Sequence, residues 1–373
     1  MTGSATVHVD LAKIAQNCRT LTSLLPSVDV VGVTKVTGGS PAVARALLAG
    51  GATELADSRL MNIARMRAHG VKARYWLLRA PSPKQADEVV KLADVSLESE
   101  IGTVRALSAA AARAGADHGV LCMVDVGDLR EGVLPPDLLS FVEQCDALPG
   151  IHVEGVGVNL TCYGAIMPTC QNLGQVAELA AQAATALGRP LVVSGGNSGS
   201  LSLALRGELP AGITSLRIGE SILLGLNTLT REPLFPELHL DAFLLTAPVV
   251  ECLRKPSKPI GVCAQDMMGN VPDHEDRGTR RRAILALGRQ DVVPELIRPL
   301  DPRAEVLGAS SDHLILDVED VRPAPRPGDE FAFLPGYGAL LALFTSQYVD
   351  KDYYGAPGQP EGAPDRAGAP SDA

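Results

Sequence analysis

Aromatic residues are scarce, 3% of a 373-residue chain, so any core must be aliphatic. Hydrophobic residues still make up 46%, enough Val, Leu, Ile and Ala to bury a substantial interior. Positive charge is also in deficit, with a formal net charge of −10. A nucleic-acid partner needs clustered Lys and Arg to neutralise phosphates. The one basic run, RGTRRR at 277–282, reads as a solvated face or a carboxylate-binding loop. No apolar run approaches the roughly 20 residues of a membrane-spanning helix. The opening MTGSATVHVD lacks the charged and apolar regions of a secretory signal. The seven cysteines are scattered with no CxxC pair. That argues against a disulfide framework or zinc ribbon and for reduced thiols, mostly in the core. These absences predict a soluble, cytoplasmic globular protein with neither nucleic-acid nor membrane partners.

What is present is an alternation. Short β-branched runs at 28–33, 53–56, 74–78, 94–97, 120–125, 153–160, 191–194 and 215–218 are separated by Ala/Leu-rich amphipathic stretches. The latter lie at 41–49, 60–69, 83–92, 101–114, 136–145, 173–187 and 201–207. The runs are continuously apolar, as in a parallel sheet covered on both faces. Eight such units predict an α/β fold, a (β/α)8 TIM-type barrel over 7–232, with an open doubly wound sheet as the competing arrangement. Beyond about Thr230 helical periodicity nearly vanishes and strand-like segments alternate with Pro/Gly loops. This predicts a mostly β C-terminal domain over 233–354, with 7–10 as a candidate additional strand. The Pro/Gly/Ala-rich tail 355–373 is expected to be disordered.

In a barrel the active site forms where the strands end at their carboxyl side. The first strand runs into Val33-Thr34-Lys35. A lysine there is either a snorkelling surface group or an amine tuned by the desolvated mouth for Schiff-base chemistry. The seventh strand ends in SGGNSGS at 194–200 and the eighth in LRIGE at 216–220. Glycines let backbone approach an anion, and loops after strands seven and eight commonly bind phosphate, although an ordinary tight turn has the same composition. A lysine and a phosphate cradle together describe a ligand with an aldehyde and a phosphate, which is pyridoxal phosphate.

At this point the chain resembles the alanine racemase family of fold-type III pyridoxal-phosphate enzymes, and within it the ornithine-racemase-like branch. The resemblance rests on VHVDLAKIAQN, VTKVTGG, ELADSRLMNI, DVGDLREG, GGNSGS and LRIGESILLG in the barrel. In the second domain it rests on IGVCAQDMMGN, RRRAILALGRQD and SSDHLILDVED, all in order from Val7 to Tyr354. It implies an amino-acid racemase in which Lys35 carries the cofactor as a Schiff base and acts as base on one face of the substrate carbon. Asn197, Ser198 and the backbone of Gly219 and Glu220 would hold the phosphate, and Tyr353 is a further cofactor contact. Arg217 would face the pyridine nitrogen. A guanidinium keeps its proton, so it disfavours full delocalisation and the side reactions of a long-lived carbanion. Asn159 sits where the family places a histidine over the ring. Arg130 would meet the substrate carboxylate, with Ser311 and Asp312 approaching from the other subunit of a homodimer.

The chain departs from that pattern in three places. No tyrosine lies between Tyr163 and Tyr337 to act as the second base. Val36-Thr37-Gly38-Gly39 replaces the tyrosine that follows the cofactor lysine, and Met123 stands where Arg130's lysine companion is expected. The second acid/base is therefore sought in 261–270. Cys263 is one candidate, although it also reads as a small buried residue. Asp266 is the other, and it could instead receive the distal ammonium of ornithine or lysine; Asp312 joins the catalytic set and His274 is a weaker candidate. The competing readings are an aldolase or decarboxylase on the same scaffold, a non-catalytic pyridoxal-phosphate carrier, and a cofactor-free lysine aldolase. Cys263 and His274 form no tight pair, so no metal site is expected.

Overall fold

The structure, a computed structural model, describes residues 3–265, 269, 271 and 274–356. It divides into two units, Leu11–Leu240 and Asp241–Tyr354, the latter joined by the N-terminal residues up to Asp10. The chain opens with β1 (Thr6–Asp10), which belongs to the second unit.

The first unit begins with α1 (Leu11–Ser23) and proceeds through β2 (Asp29–Val33), α2 (Pro41–Ala49), β3 (Glu54–Asp57), α3 (Leu60–Ala68) and β4 (Tyr75–Leu77). It continues with α4 (Ala86–Leu92), β5 (Val95–Glu98), α5 (Ile101–Ala114), β6 (His118–Met123), α6 (Leu138–Asp146) and β7 (Ile151–Gly157). It ends with α7 (Cys170–Leu187), β8 (Val192–Asn197), α8 (Leu201–Leu205), β9 (Ser215–Ile218) and α9 (Glu220–Leu224). β2 to β9 close into a parallel barrel, and the β9–β2 pairing (Arg217 opposite Val31) rules out the open sheet. Strand side chains alternate in direction. One set, Val31, Val33, Ala56, Trp76, Val95, Leu97, Leu121 and Met123, gathers into a single apolar cluster. Gly155 lets β7 and β8 touch, since a Cβ there would stand 1.9 Å from the carbonyl oxygen of Val192. Ser40 caps α2, whose first turn holds Pro41, a residue pre-set for helical φ.

The second unit contains β10 (Phe243–Pro256), β11 (Thr279–Ala286), β12 (Ile297–Pro299), β13 (Glu305–Ala309), β14 (His313–Asp317), β15 (Glu330–Pro335), α10 (Tyr337–Thr345) and β16 (Asp350–Tyr354). Its sheet runs β12-β15-β10-β11-β14-β13, and β1 pairs antiparallel with β10 and parallel with β16. The fold is thus a (β/α)8 barrel with a mostly β second unit. Some expectations need correcting. One helix beyond 230 was not foreseen, α10, which forms from an apolar segment without helical periodicity. The thiols are not mostly core: Cys18, Cys122 and Cys145 are buried, whereas Cys162, Cys170 and Cys263 are exposed. In the basic run, Arg277 pairs with Glu275 and Glu305 at 2.9 and 2.7 Å, and Arg280 with Asp317 at 2.6 Å. Two of the four arginines in the run are thus neutralised by carboxylates. Among the described residues no helix is long and apolar enough to cross a membrane. The tail from 357 onward lies outside the described residues.

Candidate active site

Lys35 leaves β2 on a single 3-10 turn (Lys35–Thr37) closed by Gly38 at φ 60. The turn is anchored from below. Thr34 Oγ1 donates to Asp57 Oδ2 at 2.7 Å, and Asn62 Nδ2 donates to Asp57 Oδ1 at 2.9 Å. Burial pushes the Asp57 carboxyl upward, against these donors. Gly39, at φ +65, lies so near α3 that a Cβ would stand 2.5 Å from Asn62 Cβ. That contact leaves room only for glycine at position 39. Among the described residues Lys35 Nζ has neither an ion pair nor a side-chain hydrogen bond, and its charge acts on Glu220 after β9. Burial raises the Glu220 carboxyl, and its partner Arg231 opposes the rise.

The ends of β8 and β9 meet beside this turn. Ser198 is buried, and its Oγ accepts from the backbone N–H groups of Gly219 (3.3 Å) and Ser221 (3.4 Å). Asn197 Oδ1 accepts from Gly199 N at 2.8 Å, and Asn197 Nδ2 donates to Leu160 O at 2.8 Å. A Cβ on Gly219 would stand 3.0 Å from Val33 Cβ, so the residue that follows β9 packs directly against the end of β2. Arg217 is buried, donating from Nη1 to Ser194 Oγ and from Nη2 to Val158 O at 2.7 Å. Desolvation pushes the guanidinium down to about 10, which leaves it protonated at neutral pH.

Arg130 stands on the loop after β6. Its Nε and Nη2 pair with the two carboxylate oxygens of Glu131. With the Asn159 amide turned so that its oxygen faces the arginine, Nη1 and Nη2 donate to it at 3.2 and 3.0 Å. Cys162 Sγ lies 3.5 Å from Asn197 Nδ2. The carboxyl ends of β2, β6, β7, β8 and β9 thus carry Lys35, Arg130, Asn159, Asn197, Ser198, Arg217, Gly219 and Glu220. Sequence reading missed Glu131, Ser194 and Cys162. Glu131 was within reach through its adjacency to Arg130, but neighbours in sequence seldom face each other. The second unit holds the other candidates. Ser311 and Asp312 form the turn before β14, with Ser311 Oγ donating to Asp312 Oδ2 at 3.1 Å and Gln290 bonded to Asp312. Tyr353 lies on β16 opposite Val9. Cys263 and His274 stand in the loop between β10 and β11, the former exposed, while Asp266 lies outside the described residues. Among the described residues no group of three or more His, Cys, Asp or Glu is arranged to hold a metal ion.

The chain is similar to known proteins in sequence and in fold. A sequence profile described as alanine racemase, N-terminal domain, matches residues 9–227. Ornithine racemase of Acetoanaerobium sticklandii is 45% identical over 299 residues, 80% of this chain and 84% of that protein. Lysine racemase of Thermotoga maritima is 36% identical over 348 residues, 92% of this chain and 97% of that protein. Among solved structures, alanine racemase from Bartonella henselae with covalently bound pyridoxal phosphate matches with a TM-score of 0.71 at 17% identity. That match covers 94% of this chain and 99% of the other, a likeness of fold. The profile match runs the length of the barrel, from the end of β1 to the segment after β9, and on that ground the chain belongs to the alanine racemase N-terminal domain family.

Proposed function

We propose that this chain is a pyridoxal-phosphate-dependent racemase of free basic amino acids, with ornithine as its preferred substrate. The observation that carries the reading is the convergence of Lys35, Arg217 and the Ser198–Gly219–Ser221 donors at one rim of the barrel, in a chain 45% identical to an ornithine racemase. The residues fit the cofactor. Two backbone N–H groups share one buried hydroxyl through long bonds, so they retain donor capacity for a phosphate. Ser198, Asn197, Gly219 and Glu220 would hold that phosphate, Arg217 and Asn159 would flank the ring, and Tyr353 would add a contact. The chemistry this group supplies when bound is acidification of the Cα–H of an amino acid joined to it.

The rest falls to side chains. Lys35 Nζ moves the proton on one face of the α carbon. Arg217, already spent on Ser194 and Val158, keeps its own proton and offers none to the ring. Arg130 grips the substrate carboxylate, with Ser311 and Asp312 supplied by a second copy of the chain. The group on the opposite face belongs to the set Cys263, Asp266 and Asp312, supplied by a second copy in a symmetric homodimer. Ile260, Val262 and Val271, exposed apolar residues flanking Cys263, support a partner for that segment. The seven free thiols support a reducing, cytoplasmic setting.

The test is chiral chromatography of L-ornithine, L-lysine and L-alanine incubated with the protein and pyridoxal phosphate, beside Lys35→Ala. D-ornithine should accumulate fastest, and the variant should produce none and lack a borohydride-sensitive visible absorbance. No D-product from any of the three, or a variant equal to the wild type, overturns the proposal.

A further inference from the structure

We propose that Glu131 is the positioning residue for Arg130: its carboxylate braces the guanidinium so that the substrate carboxylate meets it in one orientation. The inference deepens the racemase reading and rests on it. It starts from the loop. Asp125 N donates to Val133 O and Val133 N to Met123 O, both at 2.9 Å, so residues 124–133 are tied at their base. Gly132, at φ +138, packs where a Cβ would stand 2.4 Å from Asp125 N. Asp125 Oδ1 accepts from Gly127 N (2.8 Å) and Leu129 N (3.2 Å), and Leu129 is held at φ 55. The backbone is therefore fixed on both sides of residues 130 and 131. This brings two sequence neighbours into a forked pair that an extended strand would point apart.

A guanidinium has five N–H donors in one plane. In Arg130 one edge is taken by Glu131 and another by Asn159, leaving a single Nη1 N–H for a ligand. Held on two edges, the plane cannot rotate, and orientation of this kind is what a bidentate clamp provides. The pair is partly desolvated, with the side chains of Arg130 and Glu131 at 37% and 23% exposure. Glu131 also sits near Arg217, where its negative charge opposes the repulsion that Arg130 exerts on that buried cation. Among the described residues no other carboxylate pairs with Arg130. Met123, on the strand leading into the loop, is part of the apolar cluster inside the barrel.

Glu131→Gln keeps the shape and removes the charge. It should lower kcat/KM for ornithine roughly 10- to 100-fold, carried mostly by KM, because Arg130 holds a group already charged in the ground state. Glu131→Asp should recover most of the loss, and it serves alone if the Gln variant does not fold. In an Arg130→Lys background the Glu131→Gln effect should shrink below about twofold. Calorimetric titration with propionate, a carboxylate without an amine, should show about tenfold weaker binding to Glu131→Gln. Unchanged KM and propionate affinity, or a lower KM, overturns the proposal, the latter marking Glu131 as a competitor for Arg130. An undiminished effect in the Arg130→Lys background also overturns it. A wild type that binds propionate but racemises nothing sinks the racemase reading, and the titration still decides the brace.

Discussion

Glu98 ends β5 on the face opposite the apolar barrel cluster, in register with Cys122 of β6. It is 1% exposed, and neither carboxyl oxygen has a hydrogen-bond partner. The neighbouring Ser96 hydroxyl is engaged with His118 Nε2 at 2.9 Å. Burial therefore pushes the Glu98 carboxyl from an ordinary 4.5 up to about 8, a rise that the nearby Ser96 hydroxyl, turned to His118, only partly opposes. Between those values the native state keeps a proton that the unfolded chain has released. Stability from this group is thus whole below about 4.5 and falls as pH rises toward 8. At ~1.36 kcal/mol for each tenfold in acidity, the full loss is roughly 5 kcal/mol. Glu98→Gln carries no such charge, so its stability relative to the wild type should rise by about 3–4 kcal/mol from pH 5 to pH 8. Other titrating groups are common to both proteins and cancel. Urea unfolding at intervals across that range measures the difference directly. Two stability curves that run parallel within about 1 kcal/mol would refute the argument, because a carboxyl that ionises at its ordinary value is not desolvated.

His118 presents the mirror case. Burial holds its imidazole down at about 4, so the native state resists a proton that the unfolded chain accepts near 6.5. The stability it contributes above 6.5 should drain away as pH falls to 4, by up to roughly 3 kcal/mol, and the acid limb of the urea series should flatten in His118→Gln. Gly155→Ala would drive a methyl into the Val192 carbonyl and should cost more than about 3 kcal/mol; a melting temperature within a few degrees of the wild type would contradict the close approach of β7 and β8. Thr34→Val removes the 2.7 Å donor to Asp57 and should cost about 1–3 kcal/mol. Because that loss raises the Asp57 carboxyl further, the cost should grow as pH rises through its titration in a series of melting curves.

The barrel was legible because its strands are buried on both faces and read as unbroken apolar runs, each followed by an amphipathic helix. What escaped has physical reasons. α10, YGALLALFT, is apolar all round and shows no helical period. β16, DKDYY, reads as a charged loop and becomes a strand only because β1 lies beside it. α1 buries Asn17, whose Nδ2 donates to Ile222 O and His239 O, both at 2.9 Å, a polar use of a core position that hydrophobic patterning cannot register. At the site, strand ends gave Lys35 and Arg217. Glu131 needed the three-dimensional loop, where Leu129 at φ 55 and the tightly packed Gly132 turn adjacent residues toward each other.

β1 has a consequence for how the molecule is made. It precedes both of its sheet neighbours, β10 and β16, by more than 200 residues, with Thr6 opposite both Thr246 and Asp350. The whole barrel is synthesised between β1 and β10, and can close while Thr6–Asp10 still shows its edge to the cell. Loss of the segment from Asp350 onward would leave that strand with one flank open, so the pairing of residues 6–10 depends on a stretch more than 300 residues further along the chain.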